Sequence, residues 1–445
     1  MKPTERLISK YNRPGPRYTS YPPVPFWKDP PDETMWFDHI KKSYDEHKGI
    51  DLYVHIPFCE KLCYYCGCNR TITKNHQVEV PFIESLLQEW EIYKKGLGFI
   101  PKINSLHFGG GTPTFLSSGN LKTLITNLTF KRTQDFIGSI EIDPRTCRED
   151  DLLVMAESGI QRVSLGIQDF DPVVQSAINR HQPVAMVEQL MEKLRGYGFK
   201  SINFDLIYGL PKQTLESVSS TMKIVSQLCP DLIAFYGYAH LPSRIKNQRL
   251  INDTDLPSAQ ERRELYDQGK MILTQHDYEE VGMDHFARPG SFLHQAKKNN
   301  QLHRNFMGYV DKKSSVLIGL GPTSISDSSL SFVQNEKEIS LYEQKIKSGL
   351  LPISHGHTHN AKDLAVQKMV LDLMCGGEAK ICAEVPYQQE VLLEMKGFAE
   401  DGLLVVESNR IRLYPQGIPF MRNVAMSFDY HLREQENKVR FSQTV

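Results

Sequence analysis

Between residues 50 and 240 the sequence alternates six short strand-like runs with five helix-length amphipathic segments. That rhythm restricts the fold more than any single motif. The strand candidates are residues 52–56, 103–108, 136–142, 161–167, 201–208 and 231–238. The helix candidates between them are 81–94, 120–128, 148–157, 184–196 and 215–228. Strands separated by helices of this length form a parallel sheet, because each parallel connection must carry the chain back across the sheet. No dinucleotide fingerprint accompanies the series, so the pattern predicts an α/β fold: a partial (β/α)6 TIM-like barrel with attachments. In such barrels the reactive groups gather at the C-terminal ends of the strands. The unusual residues fall there: a cysteine run after the first strand, Gly109-Gly110-Gly111-Thr112 after the second, and Glu141 and Asp143 at the third. Gln168 and Asp169 follow the fourth, Asp205 sits late in the fifth, and Tyr238, Ala239 and His240 close the sixth.

The attachments lie at both ends. Residues 1–48 read as an N-terminal extended arm, since the prolines of 11–23 remove donors and fix backbone angles. Arg13 and Arg17 beside Tyr11, Tyr18 and Tyr21 suit either a surface strap or a cover for a flat, carboxylate-bearing ligand. Residues 49–330 form the barrel domain, and 331–445 a mainly helical C-terminal domain. Helices at 361–374 and 386–396 precede a hairpin, 403–407 with 410–414, turning at Ser408-Asn409, where Asn409 suits a positive φ. Helices followed by such a wing resemble a winged helix, but no basic stripe supports DNA reading. A net charge of −1 over 445 residues gives no general attraction to nucleic acid or to an anionic membrane. No apolar run approaches the ~20 residues of a membrane span, and the charged first ten residues are not a secretory signal. A cytoplasmic monomer is the expectation.

Half of the eight cysteines, Cys59, Cys63, Cys66 and Cys68, fall within ten residues. Such crowding points to metal before disulfides. A four-cysteine zinc site arrives as two separated pairs, and no second pair exists here. Three cysteines spaced C-x3-C-x2-C can hold three irons of a 4Fe–4S cluster and leave the fourth open, with Tyr64 and Tyr65 screening it from water. Cys68 is either a neighbour of that centre or a small buried hydrophobe. Cys147, Cys229, Cys375 and Cys382 are scattered and read as packing residues. His355, His357 and His359 alternate without an acidic neighbour and read as a solvated loop rather than a zinc site.

The C-x3-C-x2-C loop resembles the signature of radical S-adenosylmethionine enzymes. The longer string Tyr-x-His-Ile-Pro-Phe-Cys with Cys-Gly-Cys-Asn resembles the oxygen-independent coproporphyrinogen III oxidase family within it. So do Arg-Tyr-Thr-Ser-Tyr-Pro at 17–22, Gly-Gly-Gly-Thr-Pro-Thr at 109–114 and Gln-Asp-Phe at 168–170. Asp-Leu-Ile-Tyr-Gly-Leu-Pro-Lys-Gln-Thr at 205–214, Tyr-Ala-His-Leu-Pro at 238–242, Met-Asp-His-Phe-Ala-Arg-Pro at 283–289 and His-Arg-Asn-Phe at 303–306 extend the resemblance nearly end to end.

The resemblance implies a 4Fe–4S cluster on Cys59, Cys63 and Cys66, and two molecules of S-adenosylmethionine. Tyr53, Gly110, Glu141 and Ile325 would contact the first, and Tyr65, Gly111, Thr112, Gln168, Arg180, Asp205 and Ala239 the second. Tyr53 and Cys68 would be the catalytic pair. It further implies coproporphyrinogen III as substrate, a flavodoxin- or ferredoxin-like electron donor and a separate electron acceptor. Arg13, Arg17, Arg288 and Arg304 are candidates for its propionates. Two other readings remain at this stage. A haem chaperone of the same superfamily would lack the Cys-Gly-Cys-Asn string and the tyrosine-rich arm, and a non-catalytic metal-binding interaction protein would leave the strand-end residues unexplained.

Overall fold

The structure, a computed structural model, describes residues 5–435 and 441–444. Six parallel strands run side by side in chain order: β1 (Ile50–Ile56), β2 (Ile103–Gly110), β3 (Arg132–Ile142), β4 (Ile160–Gln168), β5 (Ser201–Tyr208) and β6 (Leu232–Gly237). The sheet then continues on both sides. Antiparallel β7 (Glu279–Gly282) and β8 (His285–Ala287) extend it beyond β6, with β8 against β6. Beyond β1 lies β9 (Leu317–Leu320), parallel to it. The antiparallel strands β10 (Ile325–Asp327), β11 (Ser331–Asn335) and β12 (Ile353–Thr358) follow in turn. Twelve strands thus share one sheet.

Helices α1 (Glu5–Tyr11) and α2 (Glu33–Ser43) precede the sheet. The crossovers are α3 (Glu79–Leu97), α4 (Ser118–Leu128), α5 (Glu149–Glu157), α6 (Val184–Gly196) and α7 (Leu215–Leu228), and α8 (Ala259–Gln275) follows β6. Period-two alternation in the strands explains the layering. Leu52, Val54 and Ile56 of β1 and Leu106 and Phe108 of β2 face the helices. They pack there with Leu86, Trp90, Leu121 and Leu124. Each fully buried side chain of this kind contributes roughly 1.5–3 kcal/mol. The opposite positions are polar and line a cavity of about 480 Å³, among them Asp51, Asn104, His107, Glu141, Asn203 and Asp205.

Helix α9 (Ile339–Lys347) follows β11 and buries Tyr342 and Ile346 in the core between the sheet and its helices. Helices α10 (Ala361–Gly376), α11 (Gln388–Glu400) and α12 (Met421–Phe428) come after β12 and build a second apolar core. Val366, Leu373, Met395, Phe398 and Val424 form this core with Leu7, Tyr11, Tyr18 and Tyr21 of the arm. The arm therefore departs from the expectation in two ways. It is helical at α1 and α2, and α2 buries Trp36 and Ile40 in the barrel core. Its tyrosines also face the C-terminal core rather than a ligand: Tyr11 stacks on Phe398 at 5.1 Å, and the Tyr18 hydroxyl donates to Asp429 Oδ2 at 3.0 Å.

The expected boundary at residue 330 also shifts. Strands β11 and β12 hydrogen-bond into the main sheet, so a division after residue 358 follows the pairing better. The hairpin forms from Leu404–Glu407 and Arg410–Leu413, but the positive φ falls on Ser408 (56°) and not on Asn409. Among the described residues no helix is long and apolar enough to cross a membrane.

Candidate functional site

The cysteine loop leaves the end of β1 and is fixed by side chains that bind its carbonyl groups. Asn179 Nδ2 donates to Leu62 O at 2.7 Å. Asn247 Nδ2 lies 3.2, 2.7 and 3.0 Å from the carbonyl oxygens of Cys63, Tyr64 and Cys66. Gln248 Nε2 donates to Tyr65 O at 2.9 Å and to Ala239 O at 3.1 Å, joining the loop to the segment after β6. With these carbonyls tied, all four cysteines of the loop border the cavity, and none forms a disulfide.

Cys59 Sγ is 3.2 Å from Thr112 Oγ1, and burial pushes its thiol up to about 11. Cys63 Sγ receives Arg145 Nη2 at 3.6 Å and Arg180 Nη1 at 3.7 Å. Cys66 and Cys68 share a hydrogen bond. That bond pulls Cys66 down to about 6 and pushes Cys68 up.

The glycine run closes the wall beside this loop for steric reasons. Gly110 has φ 113°, and a Cβ there would meet the His55 ring at 2.7 Å. A Cβ on Gly111 would meet Phe58 O at 2.8 Å and Cys59 Sγ at 3.1 Å. Only glycine lets the end of β2 pass so close to the loop. Gly110 N donates to Glu141 Oε2 at 3.2 Å.

Tyr53, His55 and His107 gather beside Glu141. The Tyr53 hydroxyl is 3.1 Å from His55 Nδ1, and its ring stacks on His107 at 5.8 Å. His55 Nε2 is held by Asn69 O at 2.9 Å. Burial, with Glu141 adding to it, pushes the Tyr53 hydroxyl well above its ordinary range, so it stays protonated.

A buried ion-pair group faces them. Arg145 Nη2 and Arg180 Nη1 lie 2.6 and 3.2 Å from Asp143 Oδ2. Burial pushes the Asp143 carboxyl up, but Arg180 and Arg145 outweigh it and hold it at about 2. Arg180 also donates to Gly166 O through Nε, at 3.1 Å, and through Nη2. Gln168 ends β4 with φ 69°, a left-handed conformation that turns it toward the cavity. Deeper in, Asp205 accepts from Ser164 Oγ and Asn203 Nδ2, both at 2.8 Å, yet burial raises its carboxyl to about 7.

Most of the expected residues converge on one cavity: Tyr65, Gly110, Gly111, Thr112, Glu141, Gln168, Arg180 and Asp205 line it with the cysteines. Three stand just behind the wall. Tyr53 approaches Glu141 across the gap left at Gly109, where a Cβ would lie 2.9 Å from Glu141 Oε1 and 3.1 Å from the Tyr53 ring. Ile325 lies two strands from Tyr53, on β10, its carbonyl against Gly319, which pairs with Tyr53. Ala239 is tied to Tyr65 through Gln248.

The four candidate arginines are elsewhere. Arg17 Nη2 donates to Gly237 O at 2.8 Å, and Arg304 to Arg17 O at 3.3 Å. Arg288 Nη1 is 2.7 Å from Cys229 Sγ, and Arg13 sits at the chain ends, its N–H on Thr444 Oγ1. None lines the cavity. Its cationic lining is supplied instead by Lys61, Arg70, Arg145, Arg162, Arg180 and Lys312. Asn179, Asn247 and Gln248 carried no sequence signal. They act from far along the chain, and amide side chains in loops are common.

The donor set fits a cluster better than a single ion. Sulfurs around one tetrahedral zinc stand ~3.8 Å apart, given Zn–S bonds of about 2.3 Å. No three of the loop sulfurs lie within 4.8 Å of one another. Three thiolates on separate irons need that wider spacing, and N–H donors to a ligating sulfur, as at Cys63, tune such a centre.

Residues 53–225 match the Radical SAM superfamily. The chain is 37% identical to the oxygen-independent coproporphyrinogen III oxidase of Salmonella typhimurium over 99% of its length and 98% of that protein's. It is 38% identical to the Pseudomonas aeruginosa protein of the same name, with the same two coverages. A solved coproporphyrinogen III oxidase from Escherichia coli, described as a radical SAM enzyme, superposes with a TM-score of 0.90. It is 34% identical and covers 97% of this chain and 100% of its own.

Proposed function

The chain belongs to the oxygen-independent coproporphyrinogen III oxidases of the radical SAM superfamily, and from that premise we propose how its own residues serve the reaction. The enzyme carries out the oxidative decarboxylation of coproporphyrinogen III in haem biosynthesis, turning two propionates into vinyl groups and giving protoporphyrinogen IX. When bound, a 4Fe–4S cluster and S-adenosylmethionine supply the radical that takes a hydrogen from a propionate β-carbon, after which CO2 and one electron leave.

Cys59, Cys63 and Cys66 hold the cluster in this reading, and the amides of Asn179, Asn247 and Gln248 keep their loop in shape. Tyr53, Gly110, Glu141 and Ile325 hold one S-adenosylmethionine. Tyr65, Gly111, Thr112, Gln168, Arg180, Asp205 and Ala239 hold a second. The opposed environments of Glu141 and Asp205 support two distinct sites: Glu141 faces a backbone N–H and His107, whereas Asp205 lies deeper and titrates near 7. Tyr53, kept protonated, donates its hydroxyl to His55 Nδ1, because His55 Nε2 donates to Asn69 O, and this pair fixes the tyrosine ring beside Glu141. Cys68, at the rim next to Cys66, is the other group placed near the reacting atoms. Arg162 and Lys312 replace the four earlier arginines as partners for propionates, because both line the cavity. Arg162 pairs with Asp311 and Lys312 with Asn104, yet Arg162 keeps more exposed surface than Arg145 or Arg180, which are buried on Asp143. An external flavodoxin- or ferredoxin-like donor and a separate acceptor complete the electron balance.

The observation that carries this reading is the convergence of three thiols, the glycine run, Glu141 and Asp205 on one cavity of about 480 Å³. The test is anaerobic turnover of the reconstituted protein with reductant, S-adenosylmethionine, coproporphyrinogen III and an electron acceptor. Protoporphyrinogen IX with 5′-deoxyadenosine is expected; stable haem binding without turnover would overturn it. Equilibrium binding should find two S-adenosylmethionine molecules per chain, with Arg180→Ala weakening one. A stoichiometry of one refutes the paired arrangement.

A further inference from the structure

Far from the cavity, at the outer edge of the sheet, three residues from separate elements meet. His357 lies on β12, Asp363 in the first turn of α10, and His431 in the short helix Tyr430–Arg433. Their ligand atoms all lie within 4.8 Å of one another, and among the described residues no other His, Cys, Asp or Glu group does so. His357 Nε2 is 2.8 Å from Asp363 Oδ2, and His431 Nε2 is 2.7 Å from Oδ1. The two imidazoles therefore approach one carboxylate from opposite oxygens. That carboxylate is fully buried, while the rings keep 17% and 21% of their surface, so an ion and its water can reach them. The histidine run 355–359 thus has an acidic neighbour after all, brought to it by the fold.

We propose that His357, Asp363 and His431 bind a divalent ion of the zinc class that fastens the sheet edge to the C-terminal helices. Two imidazoles and a carboxylate are a borderline-soft N2O donor set, suited to zinc and poorly suited to calcium or magnesium. Ligands ~2.0–2.1 Å from a tetrahedral ion stand ~3.3 Å apart, so each imidazole need only draw back from the carboxylate by about half an ångström. Each ring binds as neutral imidazole, so its Nε2 hydrogen moves to Nδ1 or to solvent.

The surroundings support the assignment. Asn360 N and the Tyr430 hydroxyl donate to Asp363, at 3.1 and 2.6 Å. They orient the carboxylate and stay in place when an ion replaces the histidine contacts. His359 stands 5.4 Å from His357, ring to ring, with both ring nitrogens buried and unbonded. A spare imidazole is thus at hand, with water as the other candidate for the fourth position. The ion would also stiffen the arm, whose Tyr21 and Phe26 rings lie 5.9 and 6.0 Å from His431.

The rival is a metal-free hydrogen-bonded brace, and glutamine separates the two. His357→Gln and His431→Gln keep an N–H donor for Asp363 but remove the metal-binding imidazole. The cluster-loaded holoenzyme, freed of loose metal with a chelator, is titrated with Zn²⁺ alone. Wild type should take up one zinc per chain and melt at a higher temperature, and each variant should bind about a hundredfold more weakly and lose the shift. X-ray absorption on zinc-loaded wild type should show only nitrogen and oxygen neighbours, whether or not a variant folds. No stoichiometric zinc, sulfur in the zinc shell, or variants that bind as well as wild type would each overturn the proposal.

Discussion

Asn247→Ala should loosen the cysteine loop without touching any thiol. Asn247 Nδ2 carries two hydrogens and serves three carbonyls, so it makes two good bonds and shares a third. A net hydrogen bond is worth roughly 0.5–1.5 kcal/mol, and the residue is half-buried, so water recovers part of the loss. The loop should lose about 1–2 kcal/mol of order, a ~5–30-fold rise in the open fraction. Iron leaves from the open loop. Anaerobic transfer of iron from reconstituted holoenzyme to a chromophoric chelator should therefore accelerate by that factor. Asn247→Asp should be worse, because it keeps the shape but turns an acceptor toward three acceptors. If both variants fold normally and release iron at the wild-type rate, Asn247 does not hold the loop and the reasoning fails.

Other substitutions test the remaining arguments. Gly110→Ala forces a side chain onto φ 113° against the His55 ring and should cost at least about 1–3 kcal/mol in denaturant unfolding, with loss of S-adenosylmethionine binding. Asp205 has a folded pKa of about 7 against an ordinary 3.8, so its stabilising share is fully present below about 3.8 and lost as pH rises through 7. Asp205→Asn should flatten the stability–pH curve of the ligand-free protein between pH 4 and 7; an unchanged slope refutes the assignment. Tyr11→Ala removes a ring stacked on Phe398 and should cost about 3–5 kcal/mol, read by urea denaturation, if the arm belongs to the C-terminal core.

The parallel core was legible because its period is written twice, once in the strands and once in the crossovers. Two crossover helices, Val184–Gly196 and Leu215–Leu228, begin and end where the pattern places them. The flanking strands were not legible. Leu317–Leu320 and Ile325–Asp327 are four and three residues long, too short for alternation to register, and the first pairs with a strand more than 200 residues away. Helix Ala259–Gln275 was missed because its apolar positions, Leu265, Tyr266, Ile272 and Leu273, are sparse among charges.

Within the site, the residues that line the wall sit at strand ends and so announce themselves. Those that act from behind do not: nothing near residue 247 in the sequence marks it as a partner of residues 63–66. The histidine run shows the same limit, since a neighbour in sequence and a neighbour in space are different things for a residue at the end of a strand.

The two ends of the described chain meet. Gly15 N donates to Ser442 O, Thr444 N to Arg13 O, and Arg422 reaches the carbonyls of Gly15, Pro16 and Gln443. During synthesis the arm leaves the ribosome long before the groups that receive it are made. At ~5–20 residues per second, more than four hundred residues separate the two by tens of seconds, during which Tyr11, Tyr18 and Tyr21 have no core to enter. The barrel can assemble in that interval, since none of the arm's described residues lines its cavity. A nascent chain held short of Arg422 should therefore already accept a cluster while residues 5–23 remain open to protease.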